Sequence, residues 1–108
     1  MKEGRDNIDA MDGVKAQVVR WISDEPQPGW VEVHLIDAHG VTHSLFDKPP
    51  IFESVATITS DAHYPIAAVL DCDIAPGPTD DAVTVALRHG VETSDGKHTF
   101  EVRRDLVV

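Results

Sequence analysis

A single cysteine, Cys72, occurs in 108 residues, so no intramolecular disulfide can form and stability has to come from packing. No apolar run approaches the roughly 18 residues of a membrane-spanning helix. Aromatic residues make up only 6% of the chain, which leaves the core to aliphatic side chains. Positive charge is scarce: nine Lys and Arg face nineteen Asp and Glu, for a formal charge of -10 and a pI near 4.7. That balance argues against nucleic acid or an anionic membrane surface as a partner. Local catalytic motifs are also missing. The seven glycines are scattered at turns without a phosphate-cradling run, and Ser44, Ser54, Ser60 and Ser94 stand in no nucleophile elbow. Triads assemble from distant positions, so this absence lowers the expectation of an enzyme without removing it. No cofactor is expected.

What is present is a strand vocabulary. Valine occurs fourteen times and isoleucine seven, against five leucines. Two heavy atoms on Cβ restrict χ1 in a helix and pack well on a pleated surface. Apolar residues are 42% and charged residues 26% of the chain, which suits one soluble globular domain of this length. Residues 1 to 13 read as a charged, frayed N-terminal segment that admits a short helical turn around Asn7 to Met11, and residues 14 to 108 read as one β domain. With Lys2, Glu3, Arg5, Asp6, Asp9 and Asp12 in its first twelve residues, the chain shows no signal-peptide pattern, and the expected compartment is the cytoplasm.

Along the chain, Val14 to Ile22 places Val14, Ala16 and Val18 on one side and Val19 and Trp21 on the other, which suits either a strand with apolar contacts on both faces or one with a bulge near Val18 and Val19. Asp24 to Gly29 is a turn with two prolines, flanked by Trp21 and Trp30, and a ring stacked there would order it. Trp30 to Ile36 alternates, with Val31, Val33 and Leu35 inward and Glu32 and His34 outward. The next turn has two readings. A two-residue loop pairs Ile36 with Val41 and His34 with His43 but sends Val41 and Leu45 to the polar face. A three-residue loop with Gly40 left-handed pairs Asp37 with Val41, Leu35 with His43 and Val33 with Leu45, and this register keeps the apolar residues together.

Ile51 to Thr59 reads as a strand or an irregular helix, its β-branched residues favouring the strand. Ile66, Ala68, Leu70, Cys72 and Ile74 then share one face at period two, the clearest strand in the chain. Val83, Val85 and Leu87 mark another, Ser94 to Lys97 a hairpin turn, Thr99 to Val102 a further strand, and Leu106 to Val108 a terminal pairing. Six or seven short strands separated by breaker clusters predict an all-β, antiparallel sandwich or small barrel.

Several residues invite chemistry. His34, His39 and His43 lie within ten positions, yet the preferred register sends them to the outer face, the loop and the inner face, so they do not converge as metal ligands must. Cys72 lies between Asp71 and Asp73 on an aliphatic face, where both charge and burial oppose a thiolate. Asp71, Asp73, Asp80 and Asp81 lack the spacing of a calcium loop, because Pro76, Gly77 and Pro78 interrupt it.

The charge is unevenly placed. Residues 49 to 87 contain no Lys or Arg but hold Glu53, Asp61, Asp71, Asp73, Asp80 and Asp81. Such a block keeps a protein soluble, and it also complements a basic surface. The expectation is a non-enzymatic binding protein whose acidic face, Asp71, Asp73, Asp80 and Asp81, meets a basic protein surface with Trp30, Tyr64 and Phe46 as aromatic anchors. Its most concrete form is an immunity or inhibitor protein covering the substrate cleft of a nuclease-type toxin. The alternatives are a small β-barrel enzyme or ligand carrier using the histidines with Asp37 or Asp47, and an oligomeric module pairing through strand edges.

Overall fold

Alternation of inward aliphatic and outward polar residues is realised in the computed structural model, which describes residues 12–49, 53–54 and 57–108. The strands are β1 (Gly13–Ser23), β2 (Trp30–Ile36), β3 (Thr42–Asp47), β4 (Glu53–Ser54), β5 (Ile66–Pro76), β6 (Ala82–Leu87) and β7 (Thr99–Arg103). Their order is β3-β2-β1-β5-β6-β7, with the two-residue β4 added to β5, and every pairing is antiparallel. The fold is all-β and antiparallel, and its single sheet curls into a half-barrel. The helical turn expected around Asn7 to Met11 lies outside the described residues. Of the strand-or-helix segment from Ile51 to Thr59, residues 51–52 and 55–56 lie outside the described residues; Glu53–Ser54 form β4, and 57–59 are irregular.

The β2–β3 hairpin adopts the three-residue loop. Leu35 faces His43 and Val33 faces Leu45, Asp37 N donates to Val41 O at 2.9 Å, and Gly40 takes φ +81°. The hydrophobic pattern chose this register because a one-residue slip would turn Leu45, fully buried here, toward solvent. The bulge in β1 also falls where expected: Val18 pairs with Val33 and Arg20 with Glu32, leaving Val19 between them. The turn after β1 is fixed by Gly29, whose φ is +130° and whose Cα lies so close under the Trp21 indole that a Cβ there would collide with the ring.

β5 pairs with β1 on one edge and with β4 and then β6 on the other. Residues 66 to 71 pair with β1, and residues 72 to 76 pair with β6. Asp71 O accepts from Arg88 N while Cys72 N donates to Asp12 O, so β1 and β6 lie on opposite edges of β5. Beyond β7, a 3-10 turn (Arg104–Leu106) returns the chain to β1, where Val107 bridges Val14 and Val108 N donates to Gly13 O, the terminal pairing the sequence implied.

The core lies on the inner face: Val14 and Val18 of β1, Val31, Val33 and Leu35 of β2, Leu70 and Cys72 of β5, and Val85 and Val102 of β6 and β7 are buried. Each such aliphatic side chain contributes about 1.5–3 kcal/mol over an exposed one. Curling brings the β2–β3 tip to the far edge strand. Ala38 N donates to Glu101 O at 2.8 Å, and the His43 and Phe100 rings lie 4.7 Å apart, with Lys97 Nζ 5.1 Å from the Phe100 centroid.

Candidate functional site

Asp71 and Asp73 project from the outward side of β5, and Asp80 and Asp81 occupy the turn before β6. The sequence block that lacks cations receives them in space. Immediately after β6 the chain turns tightly through His89 (φ 66°) and Gly90 (φ 73°). That turn directs Arg88 onto Asp73, at 2.5 Å from Nη2 and 3.1 Å from Nε, and His89 Nε2 onto Asp71 Oδ2 at 2.8 Å. The hydrogen bond from Arg88 holds the Asp73 carboxyl below its ordinary range, and Asp73 in turn raises the guanidinium. Asp80 and Asp81 differ. Arg104 binds their backbone carbonyls, Nε to Asp80 O at 2.6 Å and N to Asp81 O at 2.7 Å, while both carboxylates stay exposed without an ion pair among the described residues. The four acids therefore divide into a pair on the strand whose carboxylates are hydrogen-bonded by His89 and Arg88 and a pair on the turn whose carboxylates make no ion pair among the described residues.

The aromatic anchors are separated in the same way. Trp30 and Phe46 are half-buried on the neighbouring strands β2 and β3. Tyr64 packs its ring against the core and donates its hydroxyl to Thr59 O at 2.5 Å. Among the described residues, the large apolar side chains that are exposed are Ile22, Ile36, Val41 and Val108.

Between Trp30 and Ile36 on the same outer face lies a cluster that alternation alone did not reveal. Glu32 is only 8% exposed although it points outward. Arg20 Nε donates to Oε1 at 2.6 Å, while Ser44 Oγ at 2.8 Å and His34 Nε2 at 3.0 Å converge on Oε2. Burial alone would push the Glu32 carboxyl up; the hydrogen bonds from Arg20, Ser44 and His34, with the Arg20 charge, outweigh it and hold the group at about 2. The signal for this cluster was in the sequence after all: the bulge at Val19 puts Arg20 opposite Glu32, and the hairpin register puts Ser44 opposite His34. Because Ser44 donates to the carboxylate rather than to His34, the group has no relay from hydroxyl to imidazole. Its chemistry is that of a fixed polar platform.

A second carboxylate–histidine pair closes the hairpin tip. Asp37 Oδ2 meets His43 Nε2 at 2.8 Å, and Asp37 Oδ1 accepts from the backbone of His39 and Val41. Burial raises the Asp37 carboxyl, but the hydrogen bonds from His43, Val41 and His39 and the charge of His43 bring it to about 2. Asp47 stands apart, opposite Val31 at the other end of β3, and its Oδ1 caps Lys48 N. His34, His39, His43 and His89 each meet a different carboxylate, and no group of three or more metal-ligating side chains converges among the described residues. Cys72 is 1% exposed, and burial first, then Asp12, Asp73 and Asp71, push its thiol up to about 11.

Beside the Glu32 cluster, the outer face forms a groove of about 790 Å3 between β2, β1, β5 and the C-terminal turn, with Ala67, Val69, Ile36 and Leu106 on its sides and Lys15 and His34 on its lining. No helix among the described residues is long and apolar enough to cross a membrane. No protein-family model matches the chain, and no curated protein or solved structure matches it.

Proposed function

We propose that the protein is a non-enzymatic binding protein of the cytoplasm that docks on a basic protein surface through the acidic turn at Asp80 and Asp81. The observation that carries the reading is the pair of exposed carboxylates, Asp80 and Asp81, which have no ion pair among the described residues in a chain of net charge -10. Unneutralised charge of one sign accelerates encounter with the opposite sign and selects against like-charged partners. Asp71 and Asp73 already hold His89 and Arg88, so they contribute to the field at the rim rather than as free ligands for a partner's cations. Trp30 supplies half-buried aromatic area on a separate face, and Tyr64 is committed to the core.

In its most concrete form the partner is a nuclease-type toxin whose substrate cleft is basic, and the protein is its immunity or inhibitor protein. The outer groove is lined by His34 without Asp37 or Asp47, which favours this reading over an enzyme or carrier built on the histidines with those acids. The test is capture from the native host's lysate on the immobilised protein, with bound proteins quantified by mass spectrometry at low and physiological ionic strength. A basic protein retained by the wild type at low salt and lost with the Asp80→Lys/Asp81→Lys variant supports the proposal. An identical bound set for wild type and variant overturns it.

A further inference from the structure

The outer groove has a chemistry opposite to the rest of the surface. Its volume of about 790 Å3 falls within the roughly 300–1,000 Å3 typical of small-molecule sites. It spans β3, β2, β1 and β5, four strands abreast and so about 14 Å across at the usual strand spacing. The space exists because β5 places the small side chain of Ala67 opposite Gln17, where a longer residue would fill it. Ile36, Val69 and Leu106 make its sides apolar, and Ile36 is 50% exposed, an aliphatic surface left in water.

Charge complementarity indicates the occupant. In a chain with nineteen Asp and Glu, none of the described lining residues is acidic, and Lys15 stands on the lining. Lys15 makes no ion pair among the described residues; the carboxylate whose charge it influences, Asp105, is held by Arg103 at 3.0 and 3.2 Å. His34, fixed by Glu32, adds a polar edge to the lining. We infer that the groove binds a small amphipathic anion, an apolar chain or ring ending in a carboxylate, with the apolar part along Ala67, Val69 and Ile36 and the carboxylate on Lys15. An apolar body contributes by leaving water, and the ammonium selects the sign of the head.

The probe is decanoate, below its micellar concentration, titrated into the full chain and followed by calorimetry and amide chemical shifts, with decyltrimethylammonium as the cation of equal chain length. Saturable one-to-one binding is expected, with shifts centred on Lys15, Gln17, Ala67 and Val69 and at least tenfold weaker binding of the cation. Ala67→Trp, at an exposed strand position, should weaken decanoate at least tenfold by filling the groove. Lys15→Glu should weaken it about fivefold, the scale of an exposed ion pair. Asp80→Lys/Asp81→Lys should leave it unchanged, which separates this site from the docking surface. No saturable decanoate binding at millimolar concentration, equal binding of the cation, or indifference to Ala67→Trp and Lys15→Glu in variants with wild-type circular dichroism each overturns the inference. It is equally overturned by dimerisation that Ala67→Trp abolishes, which assigns the groove to a second copy.

Discussion

Replacing Glu32 by glutamine keeps the shape of the side chain and removes its charge. In the folded protein this carboxyl is lowered from 4.5 to about 2, a difference worth on the order of 3 kcal/mol at neutral pH. Part of that comes from Arg20, whose side chain is 66% exposed, so its share is screened by solvent and the figure is an upper one. The His34 side chain is 36% exposed, so its share is screened as well, and Ser44 is half-buried. A folded-state value below the unfolded one makes the contribution complete above about pH 5 and removes it as the pH falls toward about 2. By pH 3, about 2 kcal/mol of it is gone. Glu32→Gln should therefore unfold in urea with a stability about 2–3 kcal/mol below wild type at pH 7, since three donors lose their charged acceptor. The gap should narrow by about 2 kcal/mol at pH 3, with tryptophan fluorescence as the readout in both cases. A gap of equal size at pH 7 and pH 3 would refute the reasoning, because a purely steric defect does not titrate.

Leu45→Ala removes a fully buried side chain at the centre of the hairpin register and should cost about 2–5 kcal/mol in urea unfolding; a loss below 1 kcal/mol would mean the β2–β3 pairing is not as described. Gly29→Ala forces a side chain into a left-handed position against the Trp21 ring and should cost more than about 1 kcal/mol, with a change in tryptophan emission. Emission and stability both unchanged would contradict the packing of that turn. Cys72, buried and with its thiol pushed up to about 11, should react with a disulfide reagent at pH 7.5 only on unfolding, so that full labelling of the native protein within minutes counts against its placement.

Period-two patterning carried most of the fold. The hairpin register and the face of β5 that ends in Cys72 follow from keeping aliphatic residues on one side of a pleated strand, and the bulge at Val19 is one of the two readings that the β1 pattern left open. Curvature did not follow from it, because closure into a half-barrel accumulates from strand twist and from β5 changing partners at Asp71 and Cys72, neither of which is a property of one window. The charge reading shows the same limit in physical form. A block of residues without cations is acidic along the chain, but Asp71 lies 18 positions from His89 and Asp73 lies 15 from Arg88, and antiparallel pairing of β5 with β6 removes that distance. Glu32 was assigned to solvent by alternation and is covered by its neighbours, since an outward direction fixes only which way a side chain leaves the strand. What covers it depends on Arg20, Ser44 and His34 arriving from two adjacent strands and its own.

Recruitment of a basic partner by the exposed carboxylates of Asp80 and Asp81 is tested most directly by the association rate of the captured protein with immobilised wild type, measured across ionic strength. Steered association should slow by roughly tenfold or more from low to physiological salt. Asp80→Lys/Asp81→Lys should start slower at low salt and show a shallower dependence, while dissociation changes little. An association rate that is independent of salt, or that is the same for wild type and the reversed variant, would contradict the account.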